Sequence, residues 1–542
     1  MECYPGVFTE ELISALKSGL PCSLVIRAEE AFRPPAEIAR MLGPHLTDDP
    51  VFGRMSPIEI EDFFDPGELE RLRQRAAVRQ DGAILVVGTG ASLVAPRPDL
   101  LIYADLARWT IQQRQRRNEI CNLGTTNRCE APGLKYKRAF FVDWRAADRL
   151  KARLLDRIAY LLDSNSAELP KMITGESFRQ GLALAARRPF RVVPFFDPGP
   201  WGGHWMMEHF ALPAGQPNYA WGFDCVPEEN SLLLGFGSRR VEIPALDLVL
   251  RHPRELLGDF VYRAFGAEFP IRFDLLDTMG GGNLSLQVHP LTAYIRDRFG
   301  MRYTQDESYY MLQAADDAVV ALGIKEGIDP RTMAAELRRA QDGGGAFSAG
   351  RFVNSWPARK HDHFLIPSGT VHCSGADGVV LEISATPYIF TFKLWDWDRL
   401  GLDGRPRPVH LDHGLANIQW DRTTRWVREN LVNRICPMGA GDGWREERTG
   451  LHPLEFIETR RHWFTAAVPH DTHGTVNVLN LVEGDECVVE SPAGHFDPFV
   501  VHYAETFIVP AAVGPYTVRP TRPARAELAT IKAYVRNSYA AL

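Results

Sequence analysis

The sequence predicts a multidomain chain: an N-terminal α/β domain over residues 1–188, followed by a β-rich region with a helical insert. That region divides into residues 189–440 and a smaller β domain over residues 441–542. Three observations carry this prediction. The 542-residue length exceeds what one core serves, because single hydrophobic cores stop growing at roughly 250–300 residues. Before Pro189, continuous apolar runs alternate with helical periodicity, the texture of strands covered on both faces. After it, short apolar runs stand between Gly and Pro turns, with frequent Trp and Phe, as β-rich domains require.

Each element follows from local pattern. Leu12, Ile13 and Leu16 share one helical face and the run stops at Gly19, so residues 8–18 are expected to form an amphipathic helix. Ala83 to Val87, after Asp81-Gly82, suits a buried strand, and Leu100 to Tyr103 suits a second, followed by an Arg-rich helix. In the β-rich part, Pro330 to Gln341 reads as a helical insert closed by Gly343-Gly-Gly345, and a further helix is expected near Thr423 to Asn433. Gly439-Ala-Gly-Asp-Gly443 reads as a linker. Beyond it, Thr475–Leu481, Cys487–Glu490, Phe499–Tyr503 and Thr506–Val509 read as strands, with His470 and His473 in loops.

Composition excludes several function classes. With 45% hydrophobic and 24% charged residues the chain is of ordinary globular type, able to bury large cores. The net charge of −7 argues against general polyanion binding, which needs clustered Lys and Arg, so no nucleic-acid partner is expected. The densest basic cluster, Arg114, Arg116 and Arg117, reads as a solvated helix face. Residues 1–18 lack the charged start and apolar run of a signal peptide, and no stretch approaches the roughly 18 apolar residues that span a bilayer. The eight cysteines show no C-x-x-C spacing, which fits reduced thiols. The expectation is a cytoplasmic protein with no membrane partner; its oligomeric state is left open.

The chemistry concentrates in three segments. In Gly281-Gly-Asn-Leu-Ser-Leu-Gln-Val-His-Pro290, an extended strand turns Gln287 and His289 to one face and Leu286 and Val288 to the other. Pro290, without an N–H for the ladder, ends the strand. Glu307 opens a second apolar strand pattern and offers a hard oxygen donor. In Asp362-His-Phe-Leu-Ile-Pro-Ser-Gly-Thr-Val-His372, Pro367-Ser-Gly369 makes a turn and His372 starts the returning strand. Taken singly, a strand histidine is more often only hydrogen-bonded. Together, two imidazoles, a carboxylate and an amide oxygen form a mixed N/O set suited to Zn²⁺ or another divalent transition metal.

These segments resemble the metal-binding motifs of the type I phosphomannose isomerases, which are cupin-fold zinc enzymes. Pro200-Trp-Gly-Gly203, Arg254-Glu-Leu-Leu-Gly258, Val380-Leu-Glu-Ile383 and Phe392-Lys-Leu-Trp-Asp-Trp-Asp-Arg399 resemble further family stretches in the same order, over roughly residues 190–420. The resemblance implies a two-cupin (jelly-roll) region with Gln287, His289, Glu307 and His372 as metal ligands. It implies an aldose–ketose isomerase working through an enediol on a sugar or sugar phosphate, most simply mannose 6-phosphate and fructose 6-phosphate. Lys393 and Trp201 are then candidate substrate contacts, and Lys393, Glu382 and Asp396 candidate catalytic groups. His361 and His363 flank Asp362 and are left between lining the same face and ordinary core or surface roles. Phe507-Ile-Val-Pro510 resembles the turn before His372, but Pro515 stands at the histidine's position, which implies a second cupin without a metal site.

Two departures fall on charged positions. Gln305-Asp306-Glu307 lacks the family's Lys two residues before the acidic ligand, and Lys393 replaces its Arg, keeping charge but losing the bidentate fork. They motivate an alternative, a sugar-binding regulatory protein that keeps the metal pocket without turnover. In the N-terminal domain, residues 83–117 faintly resemble a P-loop kinase core. Gly88-Thr-Gly90 lacks the loop lysine and the full glycine series, so a kinase there is disfavoured.

Overall fold

The computed structural model describes residues 1–78, 81–166, 168–387, 389–450, 452–523 and 526–536. The chain forms two compact units. One comprises Met1–Ala185, Pro227–His252 and Arg298–Gly300; the other comprises Ala186–Val226, Pro253–Asp297 and Met301–Leu542.

The first unit is α/β. Strands Glu2–Cys3, Ile102–Asp105, Tyr160–Asp163 and Lys171–Thr174 form one sheet, parallel except for the last pair. Cys22–Arg27 and Ala83–Val87 pair in parallel beside it. The helix expected at 8–18 is Thr9–Gly19, with Ile13 its buried residue. Arg114 corrects the solvated-face expectation: it is 2% exposed, and its guanidinium donates to the carbonyls of Gly6 at 2.7 Å and Ser164 at 2.8 Å. Arg116 and Arg117 are exposed as expected. Periodicity misjudged Arg114 because a guanidinium can be buried when carbonyl acceptors meet each N–H.

The stretch Pro227–His252 belongs to this first unit, although its sequence position lies inside the expected second domain. Buried charge pairs hold it there. The ammonium of Lys151 lies 2.8 Å from Asp105 and 3.0 Å from Asp247, all three almost fully buried. Glu229 accepts from Gln112 Nε2 at 2.9 Å and from Tyr136 Oη at 2.8 Å.

The Gly88-Thr-Gly90 loop is filled by the chain's own carboxylates. Gly90 and Ser92 donate their N–H groups to Glu2 at 2.6 and 2.8 Å, and Thr89 donates to Glu29 at 2.9 Å. A Cβ on Gly88 would stand 2.2 Å from Glu29 Oε2. The backbone donors that a phosphate would need are thus already taken.

The second unit contains two double-sheet barrels. In the first, a six-stranded sheet runs in the order His363–Ile366, Glu307–Ala314, Gly378–Ala385, Ile271–Asp277, Trp221–Cys225, Phe195–Asp197. A five-stranded sheet runs Val353–Pro357, Val319–Ile324, His372–Ser374, Leu286–Val288, Phe392–Trp395. The insert is helix Pro330–Gln341, whose first N–H groups are capped by Asp329, and the later helix is Thr424–Asn430.

The second barrel pairs a six-stranded sheet (Cys436–Gly441, Trp444–Gly450, Ile457–Phe464, Leu528–Val535, Asn477–Glu483, Thr506–Val509) with a four-stranded one (Val468–Asp471, Pro515–Pro520, Glu486–Glu490, Phe499–His502). Phe464, Leu481, Phe507 and Leu528 from one sheet pack on Val468, Val489, Val501 and Val518 from the other. Gly439–Gly443 is no linker: it carries the end and turn of the hairpin Cys436–Gly441/Trp444–Gly450. Glycine and aspartate suit a tight β-turn as well as a linker, and composition alone does not separate the two. His470 is a buried residue of strand Val468–Asp471, not of a loop, whereas His473 is an exposed loop residue at φ +49°.

Polar contacts join the two barrels into one unit. Arg461 donates to the His361 carbonyl at 2.9 Å, Gln313 donates to Tyr503 Oη at 3.0 Å, and Phe190 pairs with Ile508. Among the described residues, no helix is long and apolar enough to cross a membrane.

Candidate metal centre

Cross-strand register gathers the donors on the inner face of the first barrel. Gln287 stands opposite His372 on one side and opposite Lys393 on the other, so the three share a face of the five-stranded sheet. Glu307 opens its strand on the six-stranded sheet, opposite Ser384 and Ile366. The turn that delivers His372 requires glycine. Gly369 sits at φ +85°, and an added Cβ would lie 2.9 Å from the Asn417 carbonyl oxygen.

The ligating atoms of His289, Glu307 and His372 lie within 4.8 Å of one another, and all three residues are buried. Glu307 is 3.1 Å from His289 Nε2 and 2.9 Å from His372 Nε2. The Gln287 amide nitrogen is 3.1 Å from His372 Nε2. A half-turn of that amide exchanges its nitrogen and oxygen and points an acceptor at the same centre. Nδ1 of His372 faces the Thr370 carbonyl at 2.8 Å, and Nδ1 of His289 faces that of Phe390 at 3.4 Å. A proton held on Nδ1 leaves each Nε2 lone pair aimed inward, as metal-ligating imidazoles need. Burial works against charge on Glu307, but the two imidazoles, when protonated at Nε2 in the absence of a metal, hold its carboxyl well below the usual carboxylate range. This donor set fits a divalent metal ion.

Gln305, at the position where the resemblance leads one to expect Lys, has a visible task. Its amide donates to Glu307 Oε2 at 3.0 Å and to Glu382 Oε1 at 3.4 Å, so it orients the acid from behind. Glu382, 5% exposed, also lies 3.5 Å from Arg272. Burial first, then the nearby Glu307 charge, push its carboxyl well above the ordinary range.

A cationic group lies beside the donors. Asp396 accepts from Ser285 Oγ at 2.9 Å and Arg399 at 2.6 Å, and lies 2.8 Å from Arg407. Its carboxylate therefore clamps two arginines. Burial, followed by the charge of Arg407, draws the Lys393 ammonium down to about 8. Trp201 is 1% exposed and packs edge-on against Trp221 at 4.7 Å, while its carbonyl accepts from Gly282 N at 3.0 Å, propping the loop before the metal strand. Sequence reasoning did not assign roles to Gln305, Arg399 and Arg407. Arg399 lay inside a quoted motif, but no spacing rule announces Arg407.

His361 and His363 lie away from the donors. His363 stands opposite Tyr310, whose side chain takes the face opposite to that of Glu307. His361 bridges Tyr310 Oη at 2.9 Å and Glu483 at 3.0 Å.

Residues 1–187 match a family described as a domain of unknown function (DUF8485). The chain is 26% identical over 237 residues to mannose-6-phosphate isomerase ManA of Bacillus subtilis, a match covering 43% of this chain and 68% of that protein. It is 26% identical over 217 residues to mannose-6-phosphate isomerase of Streptococcus mutans, covering 40% and 63%. The crystal structure of the Bacillus subtilis mannose 6-phosphate isomerase superposes with a TM-score of 0.52 at 16% identity, over 64% of this chain and all of that one. With its motifs, its paired barrels and these relatives, the chain is similar to the type I phosphomannose isomerases and carries an additional N-terminal segment.

Proposed function

We propose that the chain is a metal-dependent aldose–ketose isomerase acting on a phosphorylated hexose, with mannose 6-phosphate and fructose 6-phosphate as the first pair to test. The observation that carries this is the buried convergence of His289, Glu307 and His372 within 4.8 Å, with Gln287 alongside. In this proposal those four residues hold Zn²⁺ or a similar divalent ion. Such an ion, when bound, supplies Lewis-acid polarisation of neighbouring sugar oxygens.

The rest is work for the chain's own side chains. Isomerisation moves a proton between adjacent carbons and leaves negative charge on oxygen in the enediol stage. Lys393, in register with Gln287, offers an ammonium to that oxygen. Lys393, Arg399 and Arg407 face the single carboxylate of Asp396, and their net positive field favours a phosphorylated over a free sugar. Asp396 then acts as a positioning residue for the arginines. Glu382, kept neutral by burial and by Glu307, is the acid with a proton to give. Trp201 supports the substrate loop from beneath.

The test is an isomerisation assay paired with metal analysis. Mannose 6-phosphate turnover by metal-loaded protein, lost on chelation and restored by Zn²⁺, is the expected result. A protein that binds one ion per chain, binds the sugar phosphate and never converts it would instead be the regulatory protein that the Gln305 and Lys393 departures suggest. Asp396→Asn should raise KM, and Glu382→Gln should lower kcat; the reverse pattern would exchange the two assignments.

A further inference from the structure

The second barrel is apolar at one end and charged at the other. Along strand Ile457–Phe464, the side chains of Phe464, His462, Arg460 and Glu458 share a face, and their partners across the ladder are Leu528, Thr530, Lys532 and Tyr534. Phe464 and Leu528 lie in the core, while the pairs farther along the strands carry polar and charged side chains. At the charged end lies a cavity of about 500 Å³, lined among others by Glu446, Glu458, Arg460, Asp471, Lys532 and Tyr534. That volume is of the order that encloses small ligands.

The groups around this cavity are unevenly satisfied. Glu458 accepts from Tyr534 Oη at 2.8 Å and pairs with Arg460. Glu446 lies 3.2 Å from His462 Nε2 and 3.6 Å from Arg460. Lys532 is different. It is 8% exposed, and its hydrogen-bond contact is His470 Nδ1 at 3.5 Å. Among the described residues no carboxylate comes within ion-pair distance of it; Glu446, Glu458 and Asp471 act on it from farther away. His470 stacks on Tyr516 at 4.9 Å and meets His462 edge-on at 4.4 Å. The remaining nitrogens, His470 Nε2 and His462 Nδ1, are buried without a hydrogen-bond partner among the described residues.

A buried ammonium that no carboxylate contacts is costly, and a mouth with nothing to bind is more stable when filled with apolar side chains, as the other end of this barrel is. We propose that the mouth of the second barrel is a second small-molecule site, taking a polyhydroxylated anion of hexose-phosphate size. The anionic group sits on Lys532, and the hydroxyls donate to Glu446 and Glu458 and pack against Tyr534. This site is separate from the metal centre and stands or falls without the isomerase proposal.

The test uses the full chain with the first site disabled by His289→Ala and His372→Ala. Calorimetric titration with mannose 6-phosphate, mannose and inorganic phosphate is expected to show one mole of mannose 6-phosphate bound per chain, more tightly than either fragment. Adding Lys532→Met should weaken binding by about tenfold or more. Hydrogen exchange on the double variant locates the site with Lys532 intact: mannose 6-phosphate should slow exchange in Leu528–Val535 and Ile457–Phe464. Four results overturn the proposal: no binding to the double variant, unchanged affinity after Lys532→Met, inorganic phosphate bound as tightly as the sugar phosphate, or protection confined to residues outside those two strands.

Discussion

The two barrels of the second unit share a sheet architecture and spend their inner faces differently. The first turns two imidazoles, a carboxylate and an amide toward one centre, with Gln305 and the carbonyls of Thr370 and Phe390 holding three of them in place. The second turns Phe464, Leu481, Phe507 and Val518 inward and keeps charge only at its mouth. Where the first barrel's turn leads to His372, the second leads through Ala511–Val513 to Pro515, the start of its next strand. Once one donor of such a set is gone, the others are polar groups buried without purpose, and apolar packing is the cheaper use of the space. A jelly roll therefore tolerates either interior, and the side chains at a few register positions decide which it has.

The sharpest way to break this comparison is to make the first barrel resemble the second. His372→Ala should abolish stoichiometric metal and lower isomerase turnover by about 10³-fold or more, read by metal analysis and initial rates. Retained metal at wild-type affinity would mean that the centre does not depend on convergence of the donors. A step smaller, Gln305→Leu removes only the group behind Glu307. Metal affinity should fall about ten- to a hundredfold, measured by competition with a chelator, while the thermal transition of the metal-loaded protein barely moves.

The second barrel should respond in the opposite sense. Lys532→Met removes a buried charge that no carboxylate contacts, and stability at pH 7 should rise by about 1–3 kcal/mol in denaturant titration. Equal or lower stability would show that Glu446, Glu458 and Asp471 compensate Lys532 from a distance. The smallest effect concerns His363, fully buried between the barrels. Burial, then the charge of Arg461, lower its pKa to about 3. An unfolded histidine titrates near 6.5, so the neutral buried form contributes its full stability above that pH and loses it as pH falls toward 3. Unfolding free energies at pH 7 and pH 5 should therefore differ less in His363→Leu than in the natural chain, by about 2 kcal/mol.

Much of the site was legible because it is written in local pattern. The alternation in Leu286-Gln-Val-His289 puts both donors on one face whatever the tertiary context, and Pro367-Ser-Gly369 reads as a turn from residue type alone. Helix Pro330–Gln341 was visible to the residue through the proline that opens it and the glycines at 343–345 that close it. What stayed hidden depends on partners far along the chain. Arg114 was read as solvated because nothing near it shows that the Gly6 and Ser164 carbonyls await it. Asp247 draws its segment into the first unit through Lys151, 96 residues away.

The amino-acid sequence by itself determined which residues are able to bind a metal and which strand face each would take, since the two-residue period and the fixed φ of proline act within a few residues. Tertiary structure alone decided that Glu307, on the six-stranded sheet, meets two histidines from the opposite one. It also decided that Asp396 clamps arginines and that the second barrel keeps at its mouth a buried lysine that no carboxylate contacts. These are matters of register and burial between distant strands, where the energy of a charge depends on what stands across from it and no local pattern records its partner.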